Sequence, residues 1–389
     1  MKKEILLGDD AIVAGALDAG VNFVSGYPGC PSAEIGQGFQ GKDIHFEWSS
    51  NEKTALEAAI GASFSGLKSL VNMKSFGLNV CSDSLFPLAY TGTKAPMVIV
   101  VADDPSCWSS AQSEQDSRGY AYISHIPVIE PADVQECYDF TRFAFEMSEK
   151  FNTPVILRIT TRVAHQRAIV LFEGKDCEKK MGEFTKNPYQ FCTMPPRILE
   201  MKKELLAKLE KIRAFGDKAN RATKGSGKIG IIATGVSYFH TLEALKEMNL
   251  NMPVLKIGTF YPLNEKRILS FAKNLKKILV VEELDDYLER EVKKLVKAEG
   301  TGIKVGELNS EKIGLVIAKL LGKTYKIAHL KENVARRYPK LCSGCPHLFS
   351  LDAIRKAVPE GTIFAGDIGC YMIAGYPPHN MQDFLFSMS

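Results

Sequence analysis

The sequence predicts an α/β fold in which helices cover mainly parallel sheets. Short apolar runs alternate with helical segments, and the clearest is the buried strand at residues 97–101, which leads into the acids Asp103 and Asp104. Most of these runs end in a polar or glycine-containing loop, as expected where parallel strands present their carboxyl ends to a ligand. Neither a Gly-x-Gly-x-x-Gly nor a Gly-x4-Gly-Lys-Ser/Thr motif occurs, so dinucleotide and P-loop sites lack their phosphate-binding residues.

The first half of the chain supplies one set of these elements. Asp9 or Asp10 is expected to cap a small, apolar first helix that ends at Gly20. Four strand-like runs follow, and a further one lies after a helix capped by Asp133. The predicted strands are residues 21–26, 44–48, 69–73, 97–101 and 153–165. The polar stretch 107–127 shows little helical periodicity and is expected to be functional or mobile.

The second half changes character twice. Residues 176–227 read as a linker with one charged amphipathic helix at 198–213 and a flexible Gly-Ser-Gly joint. A second α/β unit follows, with predicted strands at 228–234, 253–263 and 277–284. From residue 330 a Cys-x-x-Cys-Pro-His motif precedes one helix and one strand, which are too few elements to close a core alone.

Composition limits the function classes. The 389 residues have a formal net charge of +4, which gives no electrostatic argument for nucleic-acid binding. No apolar run reaches the roughly 18 residues of a membrane-spanning helix, and the first residues do not form a signal peptide. Nine cysteines without a secreted-domain spacing indicate the reducing cytoplasm.

Local sequence leaves the role of each candidate residue open. Glu52 lies in the first turn of a helix with a small-residue face, where a carboxylate serves either the helix dipole or catalysis. The loop at residues 27–31 is either a structural turn or a ligand loop at a strand end. Cys342, Cys345 and Cys370 are either structural cysteines, a redox pair or three ligands of an iron–sulfur cluster, since zinc would require a second cysteine pair.

Taken together, the motifs resemble one family. The sequences of a dozen segments, and their order along the chain, resemble those of the alpha subunits of indolepyruvate ferredoxin oxidoreductases. These enzymes belong to the thiamine-diphosphate-dependent 2-oxoacid:ferredoxin oxidoreductases. The resemblance covers the whole chain, and no single segment carries it. The most telling segments are GYPGCPSAEI, FEWSSNEKTALEAAIGAS, MKSFGLNV, SSAQSEQDSR, VVEELDDYLE, LCSGCPH and GDIGCY.

The resemblance implies a domain order. Residues 1–175 would form a doubly wound, pyrimidine-binding thiamine diphosphate domain, and residues 176–227 the linker. Residues 228–325 would form a domain like the carboxyl-terminal domain of transketolase, and residues 326–389 the incomplete start of a diphosphate-binding α/β domain. The sequence contains no Gly-Asp-Gly followed by the asparagine that holds Mg²⁺ in this cofactor class, and no Cys-rich cluster domain. We therefore expect the chain to be truncated within the diphosphate-binding domain.

The resemblance also implies site residues. Glu52 matches the glutamate that hydrogen-bonds N1′ of the cofactor's aminopyrimidine, and burial is expected to raise its pKa. Cys30 stands where pyruvate-specific relatives often carry threonine, which suits a larger and less polar substrate. Trp108 could line an aromatic pocket. The residues expected to face cofactor or substrate are Tyr27, Pro28, Gly29, Cys30, Lys74, Gly77, Asn79, Asp367, Gly369 and Cys370.

The implied activity is oxidative decarboxylation of arylpyruvates to aryl-acetyl-CoA, with thiamine diphosphate and Mg²⁺ as cofactors. Coenzyme A would capture the product, iron–sulfur clusters of the complete enzyme would carry electrons, and ferredoxin would accept them. A beta subunit and a hetero-oligomer are implied. Two alternatives remain: a non-catalytic or split-gene subunit that needs another chain to complete the site, and a thiol redox or metal-binding protein acting through Cys342 and Cys345. The sequence leaves open which aryl or branched 2-oxoacid is used.

Overall fold

The fold is taken from a computed structural model, which describes residues 1–109, 111–175, 178–325 and 338–385. The chain forms two compact units: a larger one of residues 1–109 and 114–325, and a smaller one of residues 110–113 and 326–389. The first residues of the predicted tail, 326–337, and the last four residues of the chain lie outside the described residues.

Strands and helices alternate along most of the larger unit, as predicted. Its strands are β1 (Lys2–Leu7), β2 (Phe23–Gly26), β3 (His45–Trp48), β4 (Ser69–Lys74), β5 (Met97–Asp103), β6 (Val128–Ile129), β7 (Val155–Thr160), β8 (Arg167–Phe172), β9 (Arg221–Thr223), β10 (Ile229–Thr234), β11 (Val254–Ile257), β12 (Thr259–Tyr261), β13 (Lys277–Val281) and β14 (Ala298–Gly300). Its helices are α1 (Gly8–Asp18), α2 (Ala33–Phe39), α3 (Glu52–Phe64), α4 (Ser75–Val80), α5 (Ser82–Thr91), α6 (Gly119–Ser124), α7 (Val134–Phe151), α8 (Thr161–Ala164), α9 (Pro188–Phe191), α10 (Arg197–Gly216), α11 (Ser237–Glu247), α12 (Glu265–Ala272), α13 (Tyr287–Leu295) and α14 (Ser310–Leu321).

The first sheet has seven strands in the order β12-β6-β7-β5-β4-β2-β3. Six of them are parallel, and only the edge strand β12 is antiparallel to its neighbour. All seven residues of β5 are buried, which explains its unbroken apolar run, because helices cover both faces of a parallel sheet. Strands β1 and β8 form a separate antiparallel pair that the sequence pattern did not predict.

The second sheet has five strands in the order β14-β13-β10-β11-β9. Its centre is parallel, and β9 pairs antiparallel with β11 at one edge. The predicted strand at 253–263 is divided at Gly258: β11 stays in this sheet, whereas β12 crosses to β6 of the first sheet. The two sheets therefore share one compact unit, and the boundaries proposed at residues 175 and 228 remain predictions.

The charged helix of the predicted linker is an integral part of the larger unit. The apolar residues of α10 recur at helical spacing, and Met201, Leu205, Leu209 and Ile212 are all buried. The helix packs against α5 and α7, while its charged residues face outward.

The described part of the smaller unit has one helix and two short strands. It contains α15 (Pro346–Ala357) and the short parallel strands β15 (Ala365–Gly366) and β16 (Phe384–Leu385). Among its described residues, Leu351, Ala374 and Met381 form the buried apolar cluster, and the expectation that this segment cannot close a core alone stays a prediction. Within the described residues, no helix has both the length and the apolar character that crossing a membrane requires.

Candidate active site

The predicted site segments lie at the ends of three strands, β2, β3 and β4, among four neighbouring parallel strands of the first sheet. The order β5-β4-β2-β3 is parallel throughout, so the loops after these strands emerge at the same edge. Residues 27–31 follow β2, Glu52 follows β3, and residues 74–79 include the end of β4 and the helix after it. The fold thus brings together the pocket-facing segments that were predicted in the first half of the chain.

Glu52 is the buried acid of this edge. It begins α3 and is only 3% exposed, and Asn51 caps the helix by accepting a 2.9 Å hydrogen bond from the amide of Thr54. Burial raises the pKa of the Glu52 carboxyl, although its own backbone amide and Lys74 act in the opposite direction. The carboxyl can therefore hold a proton at a higher pH than an exposed glutamate can.

Gly77 is required by the position of Glu52. A Cβ atom at Gly77 would lie 2.4 Å from Cγ and 2.8 Å from Oε1 of Glu52, far inside van der Waals contact. Because Gly77 has no side chain, the first turn of α3 can approach α4 this closely at that position. The two predicted site residues are therefore in direct contact.

The loop of Cys30 lies over the end of β4. Gly29 approaches Lys74 so closely that a Cβ would sit 3.1 Å from the lysine Cβ, and the peptide bond between Cys30 and Pro31 is cis. Tyr27 is half-buried, whereas Pro28 and Cys30 are exposed. Although the residue as a whole is exposed, partial burial of its sulfur and the nearby Glu34 carboxylate raise the pKa of the Cys30 thiol. Cys30 is therefore held mainly as a neutral thiol.

Lys74 places a cation at the centre of the same edge. The residue is 3% exposed, and its ammonium lies 4.8 Å from the ring centroid of Phe76. Burial lowers the pKa of Lys74, and the neighbouring Asp104 and Cys30 oppose that effect. A buried ammonium next to the Cys30 loop suits a small anionic group such as a carboxylate.

The side chain of Asn79 is hydrogen-bonded to two other side chains. Its amide donates to Oε1 of Gln115, and its carbonyl oxygen accepts from the hydroxyl of Tyr120, each at 2.7 Å. It is exposed and joins α4 to the polar stretch at 107–127. The described part of that stretch contains α6.

A buried charge network, which the sequence pattern did not predict, lies beneath the site. Arg118 is fully buried, pairs with Asp116 at 2.6 Å and with Glu282 at 2.8 Å, and so links the first sheet to the second. Arg158 pairs with Asp103 at 2.7 Å and with Glu130 at 2.8 Å. The sequence showed that buried strands in both halves of the chain end in acidic residues. It did not indicate Arg118, which joins the two halves, because this arginine lies in the polar stretch at 107–127, which has little helical periodicity.

The larger unit also contains a cleft of about 880 Å³. Trp108 and Phe239 line it together with His240 and Arg162. Trp108 is 67% exposed and donates from Nε1 to Glu307 at 2.8 Å. Its ring lines a cleft with a mixed polar and aromatic wall, and contact of Trp108 with a substrate stays a prediction.

The remaining predicted residues belong to the smaller unit. Cys342 and Cys370 are exposed, and Sγ of Cys345 lies 3.3 Å from Nδ1 of His347. The described residues do not bring the three sulfur atoms within metal-binding distance of one another. Gly369 has a positive φ of 91° just before the turn that begins at Cys370, and the Asp367 carboxylate accepts from the next amide at 2.6 Å. Ligation of a cluster by these cysteines stays a prediction.

Two family descriptions match the chain. Residues 14–224 match the family described as pyruvate flavodoxin/ferredoxin oxidoreductase, thiamine diphosphate-binding, and residues 219–328 match the indolepyruvate oxidoreductase domain. The first match covers more than half of the 389 residues.

Curated relatives extend the similarity to nearly the whole chain. Indolepyruvate oxidoreductase subunit IorA of Methanothermobacter thermautotrophicus is 39% identical over 412 residues, which cover 99% of this chain and 66% of that protein. The IorA subunit of Archaeoglobus fulgidus is 40% identical over 416 residues, with coverage of 100% and 66%. The chain thus spans just under two thirds of the length of these relatives. The 2-oxoglutarate synthase subunit KorA of Archaeoglobus fulgidus is 28% identical over 324 residues, or 76% of this chain and 92% of that shorter protein.

Solved structures share the fold. The 2-oxoglutarate:ferredoxin oxidoreductase of Magnetococcus marinus superimposes with a TM-score of 0.68 at 18% identity, over 82% of this chain and 65% of that one. A split-gene transketolase superimposes with a TM-score of 0.55 at 14% identity, over 82% of this chain and 99% of that one. These likenesses confirm the predicted α/β architecture.

Proposed function

Because the chain belongs to the pyruvate flavodoxin/ferredoxin oxidoreductase family, we propose that it supplies the pyrimidine-binding part of a thiamine diphosphate site in an oxidoreductase. The reaction proposed is ferredoxin-dependent oxidative decarboxylation of arylpyruvates to aryl-acetyl-CoA. The buried, protonatable carboxyl of Glu52 is the observation that carries this proposal.

The residues at the strand ends fit the pyrimidine end of the cofactor. Thiamine diphosphate, when bound, supplies the carbon nucleophile and electron sink that decarboxylation of a 2-oxoacid needs. Glu52 would hold a proton against the ring nitrogen of the aminopyrimidine, because burial favours its neutral form. Gly77 leaves the room for that carboxyl. Asp367 and Gly369 are further candidates for contact with the cofactor.

Lys74 and the Cys30 loop would receive the substrate. The Lys74 ammonium is the cation available to pair with the carboxylate of a 2-oxoacid, since it is buried beside the Cys30 loop. Cys30 presents a neutral thiol, which is a weak hydrogen-bonding group and tolerates an apolar aryl substituent. Two IorA relatives named for indolepyruvate support the arylpyruvate class.

Other segments or chains would complete the enzyme. Mg²⁺ and the diphosphate need residues beyond the pyrimidine site, and a beta subunit, ferredoxin and coenzyme A are the proposed partners. The iron–sulfur clusters belong to the complete enzyme, with Cys342, Cys345 and Cys370 as candidate ligands. The cysteines within the described residues all carry free thiols, which supports a reducing, cytoplasmic location.

The test uses the complex that co-purifies with the tagged chain under anaerobic conditions. We expect thiamine-diphosphate-dependent reduction of a viologen dye with indolepyruvate or phenylpyruvate, and weaker reduction with pyruvate. Glu52→Gln should lower turnover by about 10²–10⁴-fold. Glu57→Gln, on the exposed side of the same helix, should leave turnover unchanged. Full activity of the Glu52 variant would overturn the proposed role, and a preference for 2-oxoglutarate would overturn the substrate class.

A second candidate is a subunit that completes its site only with another chain. This candidate rests on the similarity to the KorA subunit, which is 28% identical and is covered over 92% of its length. It predicts that the isolated chain does not bind thiamine diphosphate in calorimetry with Mg²⁺ present. Tight Mg²⁺-dependent binding by the isolated chain would exclude this candidate.

A further inference from the structure

Asp9 is a buried acid that the proposed reaction does not use. It lies in the first turn of α1 and has no exposed surface. Neither carboxylate oxygen has a hydrogen-bond partner among the described residues. The sequence predicted a capping role for Asp9 or Asp10, but the cap position is Leu7, and it is Asp10 that accepts from the Leu7 amide at 3.3 Å. The burial of Asp9 is therefore left without a structural explanation from capping.

Two further side chains that can ligate a metal ion, Glu34 and His165, lie close to Asp9. Glu34 comes from the first turn of α2, and one of its oxygens is also buried without a partner among the described residues. His165 follows α8 directly, and its Nε2 lies 3.9 Å from Oε1 of Glu34. One ligand atom from each of the three side chains lies within 4.8 Å of the other two.

The backbone fixes this convergence. Gly8 approaches the chain after β7 so closely that a Cβ would lie 2.0 Å from the carbonyl oxygen of Val163. The Gly8 amide also donates to the carbonyl of Gln166 at 3.1 Å. The start of α1 is therefore locked against the segment that carries His165, and only glycine permits the contact.

The charges in this cluster do not balance within the described residues. Asp9 and Glu34 bring two carboxylates together, and Asp10 adds a third acid nearby. A divalent cation would satisfy all three donors at once, and buried acids without partners are costly in its absence.

We propose that Asp9, Glu34 and His165 bind one divalent transition-metal ion of the zinc class. One imidazole and two carboxylates form a nitrogen–oxygen ligand set that suits Zn²⁺, Co²⁺ or Fe²⁺. Ligand atoms about 2.0–2.2 Å from zinc stand roughly 3.4 Å apart, so the cluster closes by about 1 Å on binding. Glu34 and His165 can move that far, because their side chains are 37% and 41% exposed.

The ion would have an open position toward solvent. Three protein ligands leave one position of a tetrahedral zinc free for water or another small ligand. The exposed His165 side chain also lines the cleft of about 880 Å³ that contains Trp108 and His240. The site uses none of the residues assigned to the cofactor or the substrate, and the Glu34 and Asp9 carboxylates lie close enough to the Cys30 thiol to raise its pKa.

The test is a Co²⁺ and Zn²⁺ titration of the full chain without thiamine diphosphate, after removal of bound metal with a chelator. The background carries Cys342→Ser, Cys345→Ser and Cys370→Ser, so that the thiols of the smaller unit cannot bind the probe. We expect one Co²⁺ per chain, with ligand-field bands of nitrogen–oxygen coordination and no thiolate charge-transfer band.

Three variants decide the outcome. Asp9→Asn, which is isosteric, and His165→Ala, at an exposed position, should each weaken Co²⁺ binding by more than about tenfold. Asp10→Asn, one residue along the same helical turn, should bind as the background does. The proposal is overturned if no stoichiometric binding occurs, or if Asp9→Asn and Asp10→Asn bind equally well. Since no cofactor is present, the result is independent of the proposed reaction.

Discussion

Replacing Glu283 with glutamine should stabilise the chain at alkaline pH relative to acidic pH. Glu283 follows β13, is 6% exposed and accepts a 2.9 Å hydrogen bond from the amide of Leu308. Burial raises the pKa of Glu283 to about 7, although the Leu308 amide and Arg158 oppose the rise. The folded chain therefore binds a proton at Glu283 more tightly than the unfolded chain does.

The sign and size of the effect follow from that difference. The ordinary pKa of a glutamate is 4.5, and that of Glu283 in the folded chain is about 7. As the pH rises from 4.5 to 7, the unfolded chain loses this proton more readily than the folded chain, so the free energy of unfolding falls. The loss is complete above about pH 7 and absent well below pH 4.5. At about 1.36 kcal/mol per pKa unit, the loss is about 3 kcal/mol at pH 8 and about 1 kcal/mol at pH 5. Glutamine carries no charge at either pH. The free energy of unfolding of Glu283→Gln should thus rise by about 2 kcal/mol more at pH 8 than at pH 5, relative to wild type.

Thermal midpoints at pH 5 and pH 8 measure this difference. We expect the variant to gain about 2–3 °C on wild type between the two conditions, because an unfolding entropy of about 2.1 cal/mol/K per residue corresponds to about 1.2 °C per kcal/mol for 389 residues. Any loss caused by the amide of glutamine is the same at both pH values and cancels. The matched control is Asp116→Asn, because Arg118 and Arg158 outweigh burial and lower the pKa of Asp116.

The control has the opposite sign. Asp116 stabilises the fold at every pH above its ordinary value of 3.8, and that contribution is lost only as the pH falls further. Asp116→Asn should therefore destabilise the chain by about 3–5 kcal/mol at both pH 5 and pH 8, because it leaves Arg118 without its closest partner. An equal Glu283→Gln effect at the two pH values would refute the claim that burial keeps this carboxyl protonated.

Three other predictions concern the site and the network beneath it. Gly77→Ala should lower the free energy of unfolding by about 1–3 kcal/mol and reduce turnover by displacing Glu52, whereas Gly61→Ala, which meets no atom within 4 Å, should be neutral or stabilising in urea unfolding. Lys74→Met should raise KM for the 2-oxoacid more than it lowers kcat, and an unchanged KM would exclude the carboxylate-binding role. Arg118→Lys should lower the free energy of unfolding by about 2–4 kcal/mol, because lysine cannot form the paired hydrogen bonds of the arginine to both oxygens of Asp116. Unchanged stability in thermal unfolding would show that the buried charge network does not stabilise the fold.

Strand ends were the most predictable part of the site. Buried parallel strands such as β5 are recognisable as continuous apolar runs, and the polar residues that follow must emerge at one edge. The alternation of strands and helices therefore suffices to locate Glu52, Lys74 and Cys30 on converging loops. The expected rise in the pKa of Glu52 is confirmed, because burial depends on the same helix start that the pattern located.

Partnerships between distant elements were less predictable. The apolar pattern of residues 253–263 is compatible with a single strand, and nothing in it indicates that Gly258 ends one sheet and starts another. The approach of His165 to Asp9 likewise depends on how α1 packs against the segment after β7. Periodicity describes which face of an element is buried but not which neighbour buries it.

Because β12 pairs with β6 of the first sheet, this part of the sheet cannot be completed until late in the synthesis of the chain. Strand β6 ends at Ile129, and its antiparallel partner begins at Thr259, about 130 residues later. At about 5–20 residues per second, a ribosome needs roughly 7–26 seconds to supply the missing strand. During that interval the edge of β6 has no partner strand, and unpaired edges recruit other chains. We expect nascent chains that end before Thr259 to be held by chaperones or to aggregate, and chains long enough to release Tyr261 from the ribosome to be protected.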